Sequence, residues 1–573
     1  IPITPLAEFS ARPCLWTRGG RYLLVYRKSA SLACNLTAGI SVTTSLSKYD
    51  IAIVGAGFAG LYALYKLRNL GLSVRVFEAG NNVGGTWYWN RFPGARCDVN
   101  SLEYSYQFSS ELQQEWCWSE KYSPQSEILE YVNHVTDRFD LRKDIQFGTR
   151  IVSLLFDEKS DTWLGESEKG ERFQANYCVM ATGCLSKENI PKFNGFEDFT
   201  GTVLHTGKWP HKPVDFSSKH VGIIGTGSSA VQAIPIIAEQ AETLTVFQRT
   251  ATFSIPAHNA PMDKNHEKHI KNRYAEFRAE NSRRYTALNN RPNHTSALDV
   301  DEEARNAVYE DRWQLGGLPF QASFNDLGIS LEANKTAVDF VNNKIHEIVN
   351  NPEVAEILSP STVLGCKRLC VDSGYYETYN RENVTLVDVS EAPITRITKN
   401  GLQTSSGEYW FDTLILATGF DAMTGALLSI DIRGRDNFSL REKWKEGPAN
   451  YLGLTITGFP NLFTITGPGS PSVLANMIVG IEQHVDWIAD CLTYLQTNNL
   501  RTVEASAIAE KNWVNLVNEI ANETLYPTGC NSWYTGANIP GKPRIFMPYL
   551  GYPSYVEKCN DVAENGYRGF VLK

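Results

Sequence analysis

The chain has 573 residues, of which 42% are apolar and 20% charged, and it carries a formal charge of −9 at neutral pH. That length exceeds one ordinary core and predicts two or three domains. The acidic balance argues against a nucleic-acid partner, and no stretch stays apolar for the roughly eighteen residues that a membrane helix needs.

The first 47 residues stand apart, with Arg12, Arg18, Arg21, Arg27 and Lys28 set against a single acid, Glu8. This bias suits an organellar transit peptide; the alternatives are an unstructured extension or a start site misplaced in the gene model. The folded chain is expected to begin near Lys48. Eleven cysteines occur without a C-x-x-C pair, the nearest two being Cys366 and Cys370. An odd, unpatterned count reads as free thiols in a reducing, cytoplasmic setting.

From Tyr49 the string "YDIAIVGAGFAGLYALYKLRNLGLSVRVFEAG" reads as a buried strand, a G-x-G-x-x-G turn, a helix and a second strand. Gly55 permits the tight turn, Gly57 lets the backbone approach a pyrophosphate, and Gly60 lets helix pack on strand. Free N–H groups at the helix start supply a positive pole for the diphosphate. Glu78 closes the second strand, where a carboxylate accepts from ribose hydroxyls and repels a 2′-phosphate.

From Lys219 the string "KHVGIIGTGSSAVQAIPIIAEQAETLTVFQRT" repeats the unit. Here Gly225, Gly227 and Ala230 form the turn, Ser228 and Ser229 can donate hydrogen bonds, Thr226 and Gly227 join them as NADP-binding candidates, and the second strand ends in Arg249 and Thr250. A guanidinium at that place favours NADPH over NADH. FAD on the first unit and NADPH on the second is the economical assignment. The fold class is therefore α/β, with two Rossmann-like dinucleotide-binding domains.

Two strands ending in Ala-Thr-Gly, "YCVMATG" (177–183) and "DTLILATGF" (412–420), flank the second unit and mark where it is inserted. The first domain would then be discontinuous: 48–190 and 395–573 enclose a linker at 191–214 and an NADP domain at 215–394. Between 265 and 359 long charged stretches of helical period predict a helical insertion. The acidic run in 290–304 reads as a solvated loop.

NADPH and FAD on one chain imply hydride transfer from nicotinamide to flavin. A disulfide reductase needs a closely spaced redox cysteine pair near the flavin, and none occurs there; no Cys/His cluster has metal spacing. Oxygen remains as the acceptor.

The stretch "FTGTVLHTGKWP" (199–210) matches F-x-G-x-x-x-H-x-x-x-W-P, and "GGTWYWNRFPGARCD" (84–98) matches G-G-x-W-x-x-x-x-F-P-G-x-x-x-D. Both patterns are fingerprints of type I Baeyer–Villiger monooxygenases, which the chain resembles over essentially all of 48–573. The tail "SWYTGANIPGKPRIFMPYLGY" (532–552) fits too, apart from Tyr552. "GPGSPSVLAN" (467–476) and "IEQHVDWI" look closest to the phenylacetone and steroid monooxygenase branch.

The resemblance implies an NADPH- and O2-dependent enzyme that turns a ketone into an ester or lactone through a C4a-peroxyflavin and a tetrahedral adduct. Sulfide oxidation is admitted as a side activity. The peroxide needs a nearby fixed cation and little water. "GCKRLCVDSGYY" (365–376) offers Lys367 and Arg368. Arginine stays charged when desolvated, so Arg368 is the better peroxide partner and Lys367 would join Arg249 at the 2′-phosphate. On composition alone a surface basic pair is the favoured reading, and the family match reverses it. Asp98 would hold Arg368, or else cap a helix before "VNSLEY".

Further positions follow from the family match alone: Thr86, Trp87, Tyr104, Ile151 and Met477 at FAD, and Trp533 at NADP. Ser472, Val473 and Leu474 line the substrate pocket and bias it toward aryl or compact ketones. In the linker fingerprint, Phe199 and Trp209 anchor, Gly201 allows close packing and Pro210 stiffens the exit. His205 is either a structural histidine or a gating one. The rival readings are an N- or S-hydroxylating flavin monooxygenase and a non-catalytic flavin-binding protein. Oligomeric state is left open, with a monomer favoured.

Overall fold

The protein is described here from a computed structural model that covers residues 46–544 and 550–573. The basic extension, and with it the targeting reading, lies outside the described residues.

The opening strand, Ser47–Val54, is buried through Ile51–Val54. It sits between Val74–Phe77 and Arg172–Met180, parallel to both, with Val54 opposite Phe77 and Met180. Burial on both faces explains the unbroken apolar run Ile51–Val54, whereas Arg172–Met180 alternates at first and becomes a buried run only at Cys178–Met180. The sheet continues through Thr162–Ser167, Ile151–Asp157 and Asp431–Arg433 on one side and Ile145–Gln146 on the other; Leu462–Thr464 also pairs with Arg172–Met180.

A second sheet of five parallel strands runs in the order Val384–Asp388, Thr243–Gln248, His220–Ile224, Thr413–Leu416, Thr202–His205. Its membership differs from the expected division at 395. The second Ala-Thr-Gly strand pairs inside this sheet, with Leu416 opposite both Ile224 and His205. The hairpin strands from Ile394 to Trp410 share its apolar cluster: Ile397 and Leu402 pack with Phe247 and Leu414. The linker fingerprint also contributes an edge strand, although its sequence shows no strand period.

Five helices occupy the expected insertion: Lys264–Asn272, Tyr274–Ser282, Glu302–Leu315, Leu331–Ile348 and Pro352–Leu358. The acidic run before the third is partly used, since Ala304 N donates to Asp301 Oδ1 at 2.9 Å and closes a helix start. Helix Tyr274–Ser282 docks on the first domain through Arg278, which donates to Glu103 O and Ser105 Oγ at 2.9 and 2.7 Å.

The free-thiol reading is corrected at one pair. Cys366 and Cys530 form a disulfide across 164 residues, with Cα atoms 6.1 Å apart. Their proximity comes from tertiary packing of 526–530 on 363–366, which no spacing in the sequence encodes. No helix among the described residues is long and apolar enough to cross a membrane.

Candidate active site

Both glycine turns end where a helix starts without a side-chain cap. Helix Phe58–Arg68 begins after Gly57, and helix Ser228–Gln240 after Gly227; neither has an acidic residue in its first turn. Their leading N–H groups therefore take no side-chain cap and can serve as anion donors. A side chain at Gly55 would meet Ala181 O at 2.5 Å, so the turn closes only with glycine there. A Cβ added at Gly57 would come 3.4 Å from Gly85 Cα, so the G-G-x-W segment lies against the first turn, while one at Gly227 would meet nothing within 4 Å. These uncapped, side-chain-free cradles fit two dinucleotide phosphates.

Glu78 is buried, and its two oxygens accept from Ala56 N and Gly80 N at 2.7 and 2.6 Å. Burial raises its pKa in spite of these bonds. Carboxylate lone pairs beyond those two remain for ribose hydroxyls. In the second unit Thr226 Oγ1 donates to Thr250 O at 3.1 Å, and Ser228 Oγ lies 3.4 Å from Cys370 Sγ. Ser229 is half-buried and Arg249 exposed.

Lys367 has a lowered pKa, first from burial and then from the nearby Arg249 charge. No carboxylate pairs with either cation among the described residues. Two like charges brought together with no protein counterion call for an external anion.

The adjacent residue behaves differently. Arg368 grips Asp98 with two parallel bonds, Nε to Oδ2 and Nη2 to Oδ1, each 2.8 Å. Its Nη1 donates to Val473 O at 2.7 Å. The fork-on-carboxylate geometry fixes the plane of the guanidinium. Both side chains are about a fifth exposed, at 22% and 24%. Asp98 raises the Arg368 pKa against the opposing effect of burial, so the cation is permanent. The helix-cap alternative for Asp98 does not hold: no helix follows it, and Asn100 Oδ1 accepts from Leu102 N instead.

Arg368 thus joins three strings far apart in sequence: 84–98, 365–376 and 467–476. Ser472–Leu474 forms a short 3-10 turn before helix Met477–Thr497. Val473 packs with Cys184, Met423 and Tyr534, and Leu474, Met477 and Trp533 lie against that cluster. Sequence reasoning missed Cys184, Met423 and Tyr534. Tyr534 lies against Arg368, and burial pushes its phenol up to about 12. Its place beside Trp533 was the only available signal.

Trp87 is buried and donates to Tyr104 Oη at 3.2 Å. Thr86 is exposed at the start of the short helix Thr86–Trp89. Ile151 is a core residue packed with Phe77 and Phe173, which leaves its main chain for any nucleotide contact.

In the linker, His205 is buried, and burial lowers its pKa, so the ring is neutral. Its Nδ1 accepts from Gly207 N at 3.0 Å, and Nε2 lies 3.4 Å from both Asn189 O and Thr418 Oγ1. Asn189 follows the first Ala-Thr-Gly turn and Thr418 is the threonine of the second, and Asn189 N donates to Gly419 O at 2.9 Å. His205 therefore clasps both crossings between the sheets. A side chain at Gly201 would meet Asp412 O at 2.3 Å. The Phe199 ring packs tilted against Phe411 with centroids 5.9 Å apart, Trp209 N donates to Trp89 O at 3.3 Å, and Pro210 is exposed.

Residues 49–340 match the pyridine nucleotide-disulphide oxidoreductase family. A Baeyer–Villiger monooxygenase of Pseudooceanicola batsensis is 42% identical over 528 residues, covering 91% of this chain and 96% of that protein. A phenazine N-monooxygenase of Lysobacter antibioticus is 40% identical, over 91% and 97% of the two chains. An oxidized steroid monooxygenase structure bound to NADP is 50% identical with a TM-score of 0.88, covering 92% and 99%. With two uncapped dinucleotide turns, both fingerprints and a carboxylate-held arginine in one fold, the chain belongs to the type I Baeyer–Villiger monooxygenases.

Proposed function

We propose that the protein uses NADPH and O2, with FAD, to insert one oxygen beside the carbonyl of an apolar ketone, giving an ester or lactone. The observation that carries this reading is Arg368, fixed by Asp98 on one side and by Val473 O on the other. Bound FAD would accept hydride from the nicotinamide and supply the activated oxygen; every other contribution comes from the chain.

Glu78 and the first turn would hold the flavin nucleotide. Arg249, Lys367 and the second turn would hold NADPH, with the two cations on its 2′-phosphate. Three of the five guanidinium N–H donors of Arg368 are engaged in the bonds above, leaving the rest for the oxygen that gains negative charge during attack on the carbonyl. A charge already held in place needs no reorganisation in the transition state. Asp98 orients that charge and keeps it from turning away. Cys184, Met423, Val473, Leu474 and Tyr534 supply the apolar wall that accepts the ketone and excludes water. A narrow wall of this kind favours aryl or compact ketones.

The N-monooxygenase relative supports a second reading, in which the same site oxidises an aromatic nitrogen. Substitution of Arg368 separates the two roles of the site. Arg368→Ala should still permit flavin reduction by NADPH, followed by absorbance, while ester formation from an aryl ketone falls by at least about 100-fold. Ester formation near the parent rate would exclude the proposed role. N-oxide from phenazine with no ester from any ketone would favour the second reading.

A further inference from the structure

The disulfide between Cys366 and Cys530 has no part in the chemistry above, yet its position is unusual. Cys366 directly precedes Lys367 and Arg368; Cys530 lies three residues before Trp533 and four before Tyr534. One covalent bond therefore ties the segment bearing the site's two cations to the segment bearing its aromatic wall.

The two segments also pack closely. A Cβ at Gly529 would meet Val363 Cβ at 2.8 Å and Cys366 Cβ at 3.2 Å, and one at Gly365 would meet the Tyr526 ring at 2.8 Å. Two hydrogen bonds from this stretch run to other segments: Leu525 N donates to Gly328 O at 2.9 Å, and Arg544 Nη1 donates to Pro527 O at 2.9 Å. Cys366 lines a cleft with Thr252, Val363, Gly365, Lys367 and Arg368. It is buried, whereas Cys530 is half-buried.

We propose that Cys366–Cys530 is a thiol–disulfide exchange site whose oxidation state sets how tightly the protein holds its nicotinamide nucleotide. The reductant is a dithiol. Its thiolate attacks the more accessible Cys530 Sγ, the S–S bond breaks, and Cys366 leaves as a thiolate beside Lys367. Attack at Cys530 makes Cys366 the leaving sulfur. The second thiol of the reductant then attacks its own mixed-disulfide sulfur and releases Cys530. Two electrons and two protons pass to the protein, and the dithiol becomes a disulfide. Freed of the bond, 526–536 loses its covalent hold on 363–368, and the arrangement of Lys367 with Trp533 loosens.

This inference rests on the NADP reading of the second turn. Its test uses the FAD-loaded protein, purified without reductant, with and without dithiothreitol, beside Cys530→Ser. Alkylation under denaturing conditions followed by peptide mass mapping should find Cys366 and Cys530 as one linked peptide before reduction and as two alkylated thiols after it. Reduction should weaken NADP+ binding, measured by calorimetry, at least about fivefold, the low end of coupling between linked sites. Cys530→Ser should sit at the weaker value and ignore dithiothreitol. Linkage then requires that saturating NADP+ oppose reduction by the same factor.

Free alkylation of both cysteines in the unreduced protein overturns the proposal, as does NADP+ affinity that is unchanged on reduction. A protein that binds no NADP+ in either state overturns the nucleotide reading and this coupling together. The peptide map distinguishes these failures, because it reports the cross-link without any nucleotide.

Discussion

Adjacent residues of one charge take different work when their surroundings differ. Arg368 is neutralised by a bidentate carboxylate, while Lys367 is left beside Arg249 with its charge disfavoured by burial. The sequence could offer only a basic pair, because the separation of roles depends on Asp98, 270 positions away. Charged hydrogen bonds of this kind are worth about 1.5–3 kcal/mol. Arg249→Ala should therefore raise the KM for NADPH by about 10-fold or more and leave the KM for NADH within about twofold. Steady-state titration of both nucleotides checks this; equal effects would remove Arg249 from the 2′-phosphate.

The linker shows how an element escapes pattern reading. Thr202–His205 has only four residues and is held as a strand by its neighbour Thr413–Leu416. Its hydrogen bonds come from a partner more than 200 positions later, so local period carried no signal. The glycine turns were legible for the opposite reason: strand, turn, helix and second strand are contiguous, and each part has its own composition. His205, left open between structure and gating, is seen to clasp both Ala-Thr-Gly exits. His205→Ala should leave Gly207 N–H without its acceptor and lower stability by about 1–2 kcal/mol. A urea midpoint matching the parent at constant slope would show that the clasp contributes nothing.

Over the whole molecule, two buried groups on the long helix Met477–Thr497 titrate in opposition. His484 accepts from Thr466 N at Nδ1 and meets Tyr555 Oη at Nε2, and burial drives its pKa down to about 3. It stays neutral when folded but takes a proton near pH 6.5 when unfolded, so acidification from pH 7 to 5 costs about 2 kcal/mol. Glu482 accepts from Gln107 N and Phe108 N, and burial pushes its pKa up to about 7. Its unfolded value is near 4.3, so it destabilises as pH rises, and the same acidification returns about 2 kcal/mol. The two effects largely cancel. Glu482→Gln keeps the acceptor and removes the titration, and should therefore lose about 2 kcal/mol more than the parent between pH 7 and 5 in urea unfolding. An unchanged difference between the two pH values would contradict this account of the core.

The architecture of two nucleotide units was readable from the sequence because each is local. The disulfide, the Tyr534 contact and the strand membership of 394–416 were not, because each is made by packing between distant segments. What the molecule does with these parts is tested most directly by isotope. The purified holoprotein is given NADPH, ¹⁸O₂ and an aryl ketone, and the product is weighed by mass spectrometry. The account predicts an ester carrying one ¹⁸O for each NADPH consumed. NADPH consumption balanced by hydrogen peroxide, with the ketone recovered intact, or an ester without label, would contradict it.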